Sequence, residues 1–368
     1  MRQQPLIIGA GPAGTAAAIT LAKAGHPALL LERTSTPTDK VCGDFLSTDT
    51  IQQLHALGIS PSALGGAAIN CIRLIHGERL AEVTLPFPAM GLSRRVLDHA
   101  LLRQAEHSGA VFHPGRTVRT LEPTPGGWSI NTGGDATLRA DTVFIATGKH
   151  DLRDSPRRHT RHDAVGMKMY LHLAPESAHT LLGTIELTLF PGGYAGLQTV
   201  EHGRAVLCIA VQQRAFQTYG ASWHGLVAGI SQTSRRFATM LSGAQNLLPR
   251  PLAVAAIPYG YQAPVAAPDG LYRLGDQAAV IPSLTGDGMA IALHSGRTAA
   301  QTWLNNDTSI DYHNALTRTL APQMRLAGLL HHACMNSAVQ GVAIRAAALF
   351  PALLRQAAHR TRVPSTPS

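Results

Sequence analysis

Residues Pro5 to Arg33 read PLIIGAGPAGTAAAITLAKAGHPALLLER, and their order constrains the fold more than any other stretch of the chain. An apolar strand leads into the glycine pattern GxGxxG at Gly9, Gly11 and Gly14, then an Ala-rich helix, a second apolar strand and an acid at its end, Glu32. That succession is the first unit of a parallel sheet built to take a dinucleotide. Gly9 allows the tight turn, Gly11 lets the backbone approach a pyrophosphate, and Gly14 lets helix and strand pack closely. Pro12 and Ala13 open the helix, whose N-terminal N–H groups and dipole favour an anion. Glu32, with Arg33 beside it, stands where a carboxylate accepts hydrogen bonds from a ribose. A Gly/Ala-rich helix start with nothing bound is the competing reading, and strand, helix, strand and acid in register weigh against it.

A second block separates the possible dinucleotides. From Leu271 to Gly296 the chain reads LYRLGDQAAVIPSLTGDGMAIALHSG: a short strand, Gly275-Asp276, a turn-rich stretch, then Gly286-Asp287-Gly288 opening another Ala-rich helix. This resembles the second flavin fingerprint of the FAD-dependent monooxygenase and geranylgeranyl reductase superfamily, the p-hydroxybenzoate hydroxylase-like flavoproteins. The resemblance implies FAD, with Asp276 on the ribityl hydroxyls, Pro282 shaping the turn, and Gly286, Asp287, Gly288 and Met289 along the isoalloxazine. A helix N-terminus at that edge suits the negative charge of a reduced flavin. Two shorter matches support the likeness. Lys40-Val41-Cys42-Gly43-Asp44 is similar to the KxCGG segment that passes along the flavin, and Arg94 with Leu97, Asp98 and Leu101 is similar to the RxxFDxxL helix whose arginine reaches the cofactor. The resemblance also implies contacts at Val118 and Gly148, and it spans roughly Pro5 to Ala300.

The departures narrow the chemistry. Aromatic hydroxylases of the superfamily carry ADGxxSxxR where this chain has Ala146-Thr147-Gly148-Lys149-His150, so the DG pair is missing. NADPH or NADH remains the candidate electron donor, and this departure weighs against direct use. No WxWxIP segment occurs, which puts halogenation last.

The implied fold is α/β (α+β): a Rossmann-like FAD-binding lobe with a β-meander, an antiparallel-sheet substrate lobe, and C-terminal helices. Residues 1–68, 91–162 and 269–309 are assigned to the FAD-binding lobe, 69–90 and 163–268 to the substrate lobe, and 310–368 to the helices. Helices are expected over Leu46 to Leu57 and Ser93 to Ser108, and strands over Asn70 to Leu85, stopped by Pro86 and Pro88. Gly126-Gly127 and Gly133-Gly134 read as turns of the meander. In the substrate lobe VGMKMYLHL, TIELTLF, YAGLQTV and AVLCIAV read as strands. Alternation puts Met167 and Met169 on one face of the first and Lys168 and Tyr170 on the other. Plain core is the usual fate of such methionines, but a flexible Met ceiling, with Leu187, Leu189 and Leu197, would suit an apolar substrate. Tyr194, Lys149 and His150 are the candidate proton donors.

Composition bounds the remaining classes. The chain has 368 residues, 45% of them hydrophobic, enough for a large core in two lobes. No run of roughly 18 apolar residues occurs, so no spanning helix is expected. The first strand starts at Pro5, which leaves no expected signal peptide. Cys42, Cys71, Cys208 and Cys334 are scattered without metal or disulfide spacing, which points to a reducing cytoplasm and no metal. The net charge is +9, yet only 14% of residues are charged and 5% aromatic, and basic residues cluster only in Asp154 to His162 and the tail. Nucleic acid is therefore not expected; an anionic cofactor, substrate or membrane can use that charge. In the tail Ile344, Ala348, Leu349 and Ala352 recur at helical spacing beside Arg345, Arg355, Arg360 and Arg362. Packing against the FAD lobe is the first reading there, and peripheral membrane contact the second.

The function these features imply is an FAD-dependent oxidoreductase. A monooxygenase tailoring an apolar aromatic, polyketide-derived or lipid-derived molecule comes first. A geranylgeranyl-reductase-like enzyme acting on C=C bonds is the alternative, and an electron carrier donating to quinone comes last.

Overall fold

A computed structural model of the protein describes residues 3–133, 137–153, 155–157, 164–265 and 268–362. Gly134 of the expected second turn, and Asp154 with residues 158–162 of the basic cluster, lie outside the described residues. The strands Leu271–Arg273, Val143–Ile145, Leu6–Ile8, Leu29–Leu31 and Val111–His113 form an all-parallel sheet in that spatial order. Period-two alternation sorts their side chains. Ile7, Leu30, Phe144 and Tyr272 enter a core with helices Pro12–Lys23, Thr48–Leu57, Arg94–His107 and Gly288–Leu304. Leu6, Ile8, Leu31, Val143, Ile145 and Leu271 face Leu121, Trp128, Ile130 and Ala140 of the meander Thr120–Thr124, Gly127–Asn131, Thr137–Ala140. Small residues let two helices touch: a β-carbon on Gly296 would lie 2.2 Å from the Ala13 carbonyl oxygen.

The second sheet has nine strands. Ala164–His172, Ala205–Gln212, Gly193–Thr199 and Gly183–Phe190 run antiparallel in that spatial order. Gly183–Phe190 then pairs in parallel with Ala67–His76, which pairs antiparallel with Arg79–Gly91. The sheet is therefore mixed, because the chain leaves it after Gly91 to build part of the parallel sheet, returns at Ala164–His172 near the opposite edge, and then lays Gly183–Phe190 beside Ala67–His76. Pro86 and Pro88 do not end their strand. The register with Ala67–His76 jumps between Cys71–Thr84 and Ile69–Ala89, so both prolines fall in an irregular stretch where their missing N–H groups break no ladder.

One face of this sheet carries the helices Pro175–Leu181, Trp223–Thr233 and Arg235–Leu241; the other looks toward the parallel sheet. Helix Gln213–Thr218 follows the strand Ala205–Gln212, and three long helices lie at the C-terminal end: Ser309–Met335, begun by a Thr308–Asp311 capping box, Ser337–Leu349 and Pro351–Arg360. The second of these three packs Ile344 and Ala347 against Leu74, Ala81 and Leu187, so this part of the tail packs on the nine-stranded sheet and not on the parallel one. Burial of a side chain such as Ile344, which is 0% exposed, contributes about 1.5 to 3 kcal/mol.

Candidate active site

Two glycines of the first turn are required by the protein's own packing. Gly9 has φ +106° and a β-carbon there would lie 2.4 Å from the Ala146 carbonyl oxygen; one at Gly14 would lie 1.9 Å from the Gly9 oxygen. Gly11 is different. A β-carbon there meets nothing nearer than Arg94 Nη2 at 3.9 Å, and at Gly43, Gly148 and Gly288 an added β-carbon meets no atom within 4 Å. All four line one continuous cavity of about 960 Å³. Four bare backbone segments from four parts of the chain thus border the same space, the cradle that a dinucleotide approaching backbone N–H groups would fill.

The expected cofactor residues fall around this cradle with two exceptions. Pro12, Ala13, Glu32 and Arg33 line its first end, Cys42, Arg94 and Val118 its flanks, and Asp276, Gly286 and Met289 its far side. Gly14 lies behind the turn, and Asp287 lies beneath the second glycine turn, fully buried and outside the lining. The Glu32 carboxylate accepts from Ala10 N at 2.9 Å and from Thr34 N at 3.1 Å, which locks the end of the second strand to the glycine turn. Arg94 opens its helix behind the Ser93 cap and is held by Asp98 through two 2.8 Å bonds, Nε to Oδ1 and Nη2 to Oδ2. The pairing keeps its guanidinium charged and aimed. Asp276 sits on the turn Gly275–Gln277, and among the described residues no group hydrogen-bonds to its carboxylate, which leaves it open to ribityl hydroxyls.

A strap over the cavity is tied from several sides. Lys168 Nζ donates to the Lys40 carbonyl at 3.1 Å, Lys149 Nζ to that of Val41 at 2.8 Å, and Gln198 Nε2 to that of Gly43 at 2.9 Å. Asp44, at φ +56°, receives Lys168 Nζ and Tyr170 Oη on Oδ2, each at 2.6 Å, and all three side chains are 0% exposed. Lys149 is therefore committed to the strap. His150 lies near Arg33, Lys40 and Glu32, and burial with the neighbouring cations lowers its pKa.

The methionine ceiling is corrected by the structure. Met167, Met169 and Leu197 point away from the cavity into the core beneath Trp223, Leu226, Ile230 and Phe237. The opposite face supplies the ceiling: Ile72, Leu74, Ile185, Leu187 and Leu189. A trio of hydroxyls lies among these aliphatic side chains. Ser283 Oγ shares hydrogen bonds with Tyr194 Oη at 2.5 Å and Tyr259 Oη at 2.6 Å, and all three residues line the cavity. Burial raises the pKa of both tyrosines, so their hydroxyls stay protonated. Sequence reasoning named Tyr194 but not Ser283 or Tyr259, which lie in turns without periodicity. Lys168 did carry a signal, a lysine inside an otherwise apolar alternating strand.

Residues 2–149 match the family model of an FAD binding domain. The menaquinone reductase of Mycobacterium tuberculosis is 26% identical to this chain over 311 residues, covering 80% of this chain and 75% of that one. Among solved structures, a geranylgeranyl bacteriochlorophyll reductase-like protein from Thermoplasma acidophilum superposes with a TM-score of 0.72 at 19% identity, covering 90% of this chain and 87% of its own. The flavin-dependent brominase Bmp2 does so with a TM-score of 0.77 at 15% identity, covering 98% and 93%. At these identities the two superpositions establish a common fold.

Proposed function

We propose that this FAD-dependent oxidoreductase reduces carbon–carbon double bonds in an apolar, isoprenoid-like molecule collected at a membrane surface. The observation that carries the reading is the continuity of the cavity from the glycine cradle to the wall of Ile72, Leu74, Ile185, Leu187 and Leu189. Relatives named menaquinone reductase and digeranylgeranylglycerophospholipid reductase support a reductase with an isoprenoid-bearing substrate. Bound FAD, once reduced, supplies hydride for a double bond held beside it. The rest falls to this chain's residues. The aliphatic wall binds an apolar chain and excludes water, Arg94 and the strap Lys40–Asp44 fix the cradle, and Asp276 orients the ribityl hydroxyls. Tyr194, Ser283 and Tyr259 offer a neutral donor to one oxygen of the substrate and hold the proton that the second carbon needs.

The same hydroxyl trio favours the second reading, a monooxygenase that orients a phenolic ring. The two differ in their need for oxygen. Protein reduced under argon should be reoxidised by a polyprenyl lipid and not by its saturated analogue, seen as return of the flavin absorbance. Reoxidation only on admitting oxygen, accelerated by a phenol, would replace the first reading by the second.

A further inference from the structure

Arg362 brings the tail to the second glycine turn. Asp287 stands at the N-cap position of helix Gly288–Leu304, is 0% exposed, and has Arg362 Nη1 2.8 Å from Oδ1. Arg362 Nη2 donates to the Thr285 carbonyl at 2.6 Å, and the guanidinium lies 4.9 Å above the Phe87 ring. Burial raises the pKa of the Asp287 carboxyl to about 7, the Arg362 guanidinium works against that rise, and Asp49 on helix Thr48–Leu57 adds to it. A buried carboxylate without such a partner is costly. One side chain thereby grips the turn on both sides of Gly286, and Gly286 and Gly288 border the cradle. Helix Pro351–Arg360 packs along Arg79–Gly91, and Ala358, Thr361 and Arg362 form part of the cavity wall.

We propose that Arg362 is a positioning residue for the flavin site: acting through Asp287 and the Thr285 carbonyl, it holds the turn Thr285–Gly288 in the shape that receives FAD, so that docking of the tail and binding of FAD are coupled. The coupling is reciprocal by linkage. Whatever factor tail docking contributes to FAD affinity, FAD contributes to tail docking.

FAD titration of apoprotein by flavin fluorescence, paired with tryptic cleavage after Arg355 and Arg360, tests this. In the wild type FAD should slow cleavage of the tail. Arg362→Gln should abolish that protection and weaken FAD roughly tenfold, within the usual range of such couplings, and Arg362→Lys should restore part of both. A freely cleaved tail with unchanged FAD affinity in Arg362→Gln would overturn the proposal and leave Arg362 a packing residue. Should Arg362→Gln fail to fold, Asp287→Asn decides: faster tail cleavage together with weaker FAD binding supports the coupling, and faster cleavage at wild-type FAD affinity, or unchanged cleavage, refutes it.

Discussion

Lys168 Nζ lies 2.6 Å from Asp44 Oδ2, an ion pair between fully buried partners 124 residues apart in the chain. It joins the inner face of the nine-stranded sheet to the strap that borders the cradle, with Tyr170 as third member. Removing one partner strands the other charge in the interior. Lys168→Met and Asp44→Asn should each lower stability by about 3 to 5 kcal/mol in urea unfolding, and the double variant by much less than the sum. Additive losses would show that the pair is not coupled.

Gly11 and Gly14 should respond to alanine in opposite ways. The methyl of Gly14→Ala runs into the Gly9 carbonyl at 1.9 Å, so the variant should misfold or lose several degrees of melting temperature even without FAD. Gly11→Ala has room against the protein, with Arg94 3.9 Å away, so its apoprotein should melt like wild type while purifying colourless. Yellow Gly11→Ala protein at full flavin occupancy would displace the pyrophosphate from this turn.

What the sequence revealed and what it hid follow from the range of the interactions. Gly9, Gly11, Gly14 and Glu32 sit within one strand–helix–strand unit whose spacing is fixed locally, and they were readable. Alternation gave the two faces of Ala164–His172 correctly but not which face is covered. That depends on helices Trp223–Thr233 and Arg235–Leu241, distant in sequence, which take Met167 and Met169 into their core. The prolines at 86 and 88 looked like stops because a register jump leaves no local trace. Asp44 with Lys168, Tyr194 with Ser283, and Arg362 with Asp287 are pairs that only the folded chain brings together.

Stability should depend on pH through His313. Its Nε2 lies 3.3 Å from the Leu271 carbonyl oxygen, the ring is buried, and burial lowers its pKa to about 4 from the 6.5 of an exposed histidine. The folded value is the lower one, so this contribution is complete above pH 6.5. It falls as the unfolded chain takes up the proton, and is spent below about pH 4, a change on the order of 3 kcal/mol. Urea unfolding at pH 7 and pH 4.5 should show a smaller acid-side loss in His313→Asn than in wild type. Equal losses would contradict the assignment.

The tail should bring the cavity to an anionic membrane. From Tyr312 to Ser368 the chain holds no Asp or Glu, and besides Arg362, which is paired with Asp287, it carries Arg318, Arg325, Arg345, Arg355 and Arg360; Leu329, Leu349 and Phe350 stand 71%, 74% and 61% exposed. No helix among the described residues is long and apolar enough to cross a membrane. The protein should cosediment with vesicles rich in phosphatidylglycerol and be released by high salt, each basic group near the surface contributing about 1 kcal/mol. Leu349→Ser with Phe350→Ser should weaken this binding. Equal partitioning onto neutral and anionic vesicles would exclude the electrostatic part.

The reaction itself is tested most directly by the mass of the lipid after a single turnover. Protein reduced under argon, mixed with one equivalent of a polyprenyl lipid and quenched, should return a product heavier by two hydrogens, with the oxidised flavin absorbance recovered in equal amount. Tyr259→Phe should slow this step while FAD affinity stays at the wild-type value. Lipid recovered unchanged under argon, and heavier by one oxygen atom when air is admitted, would contradict the account.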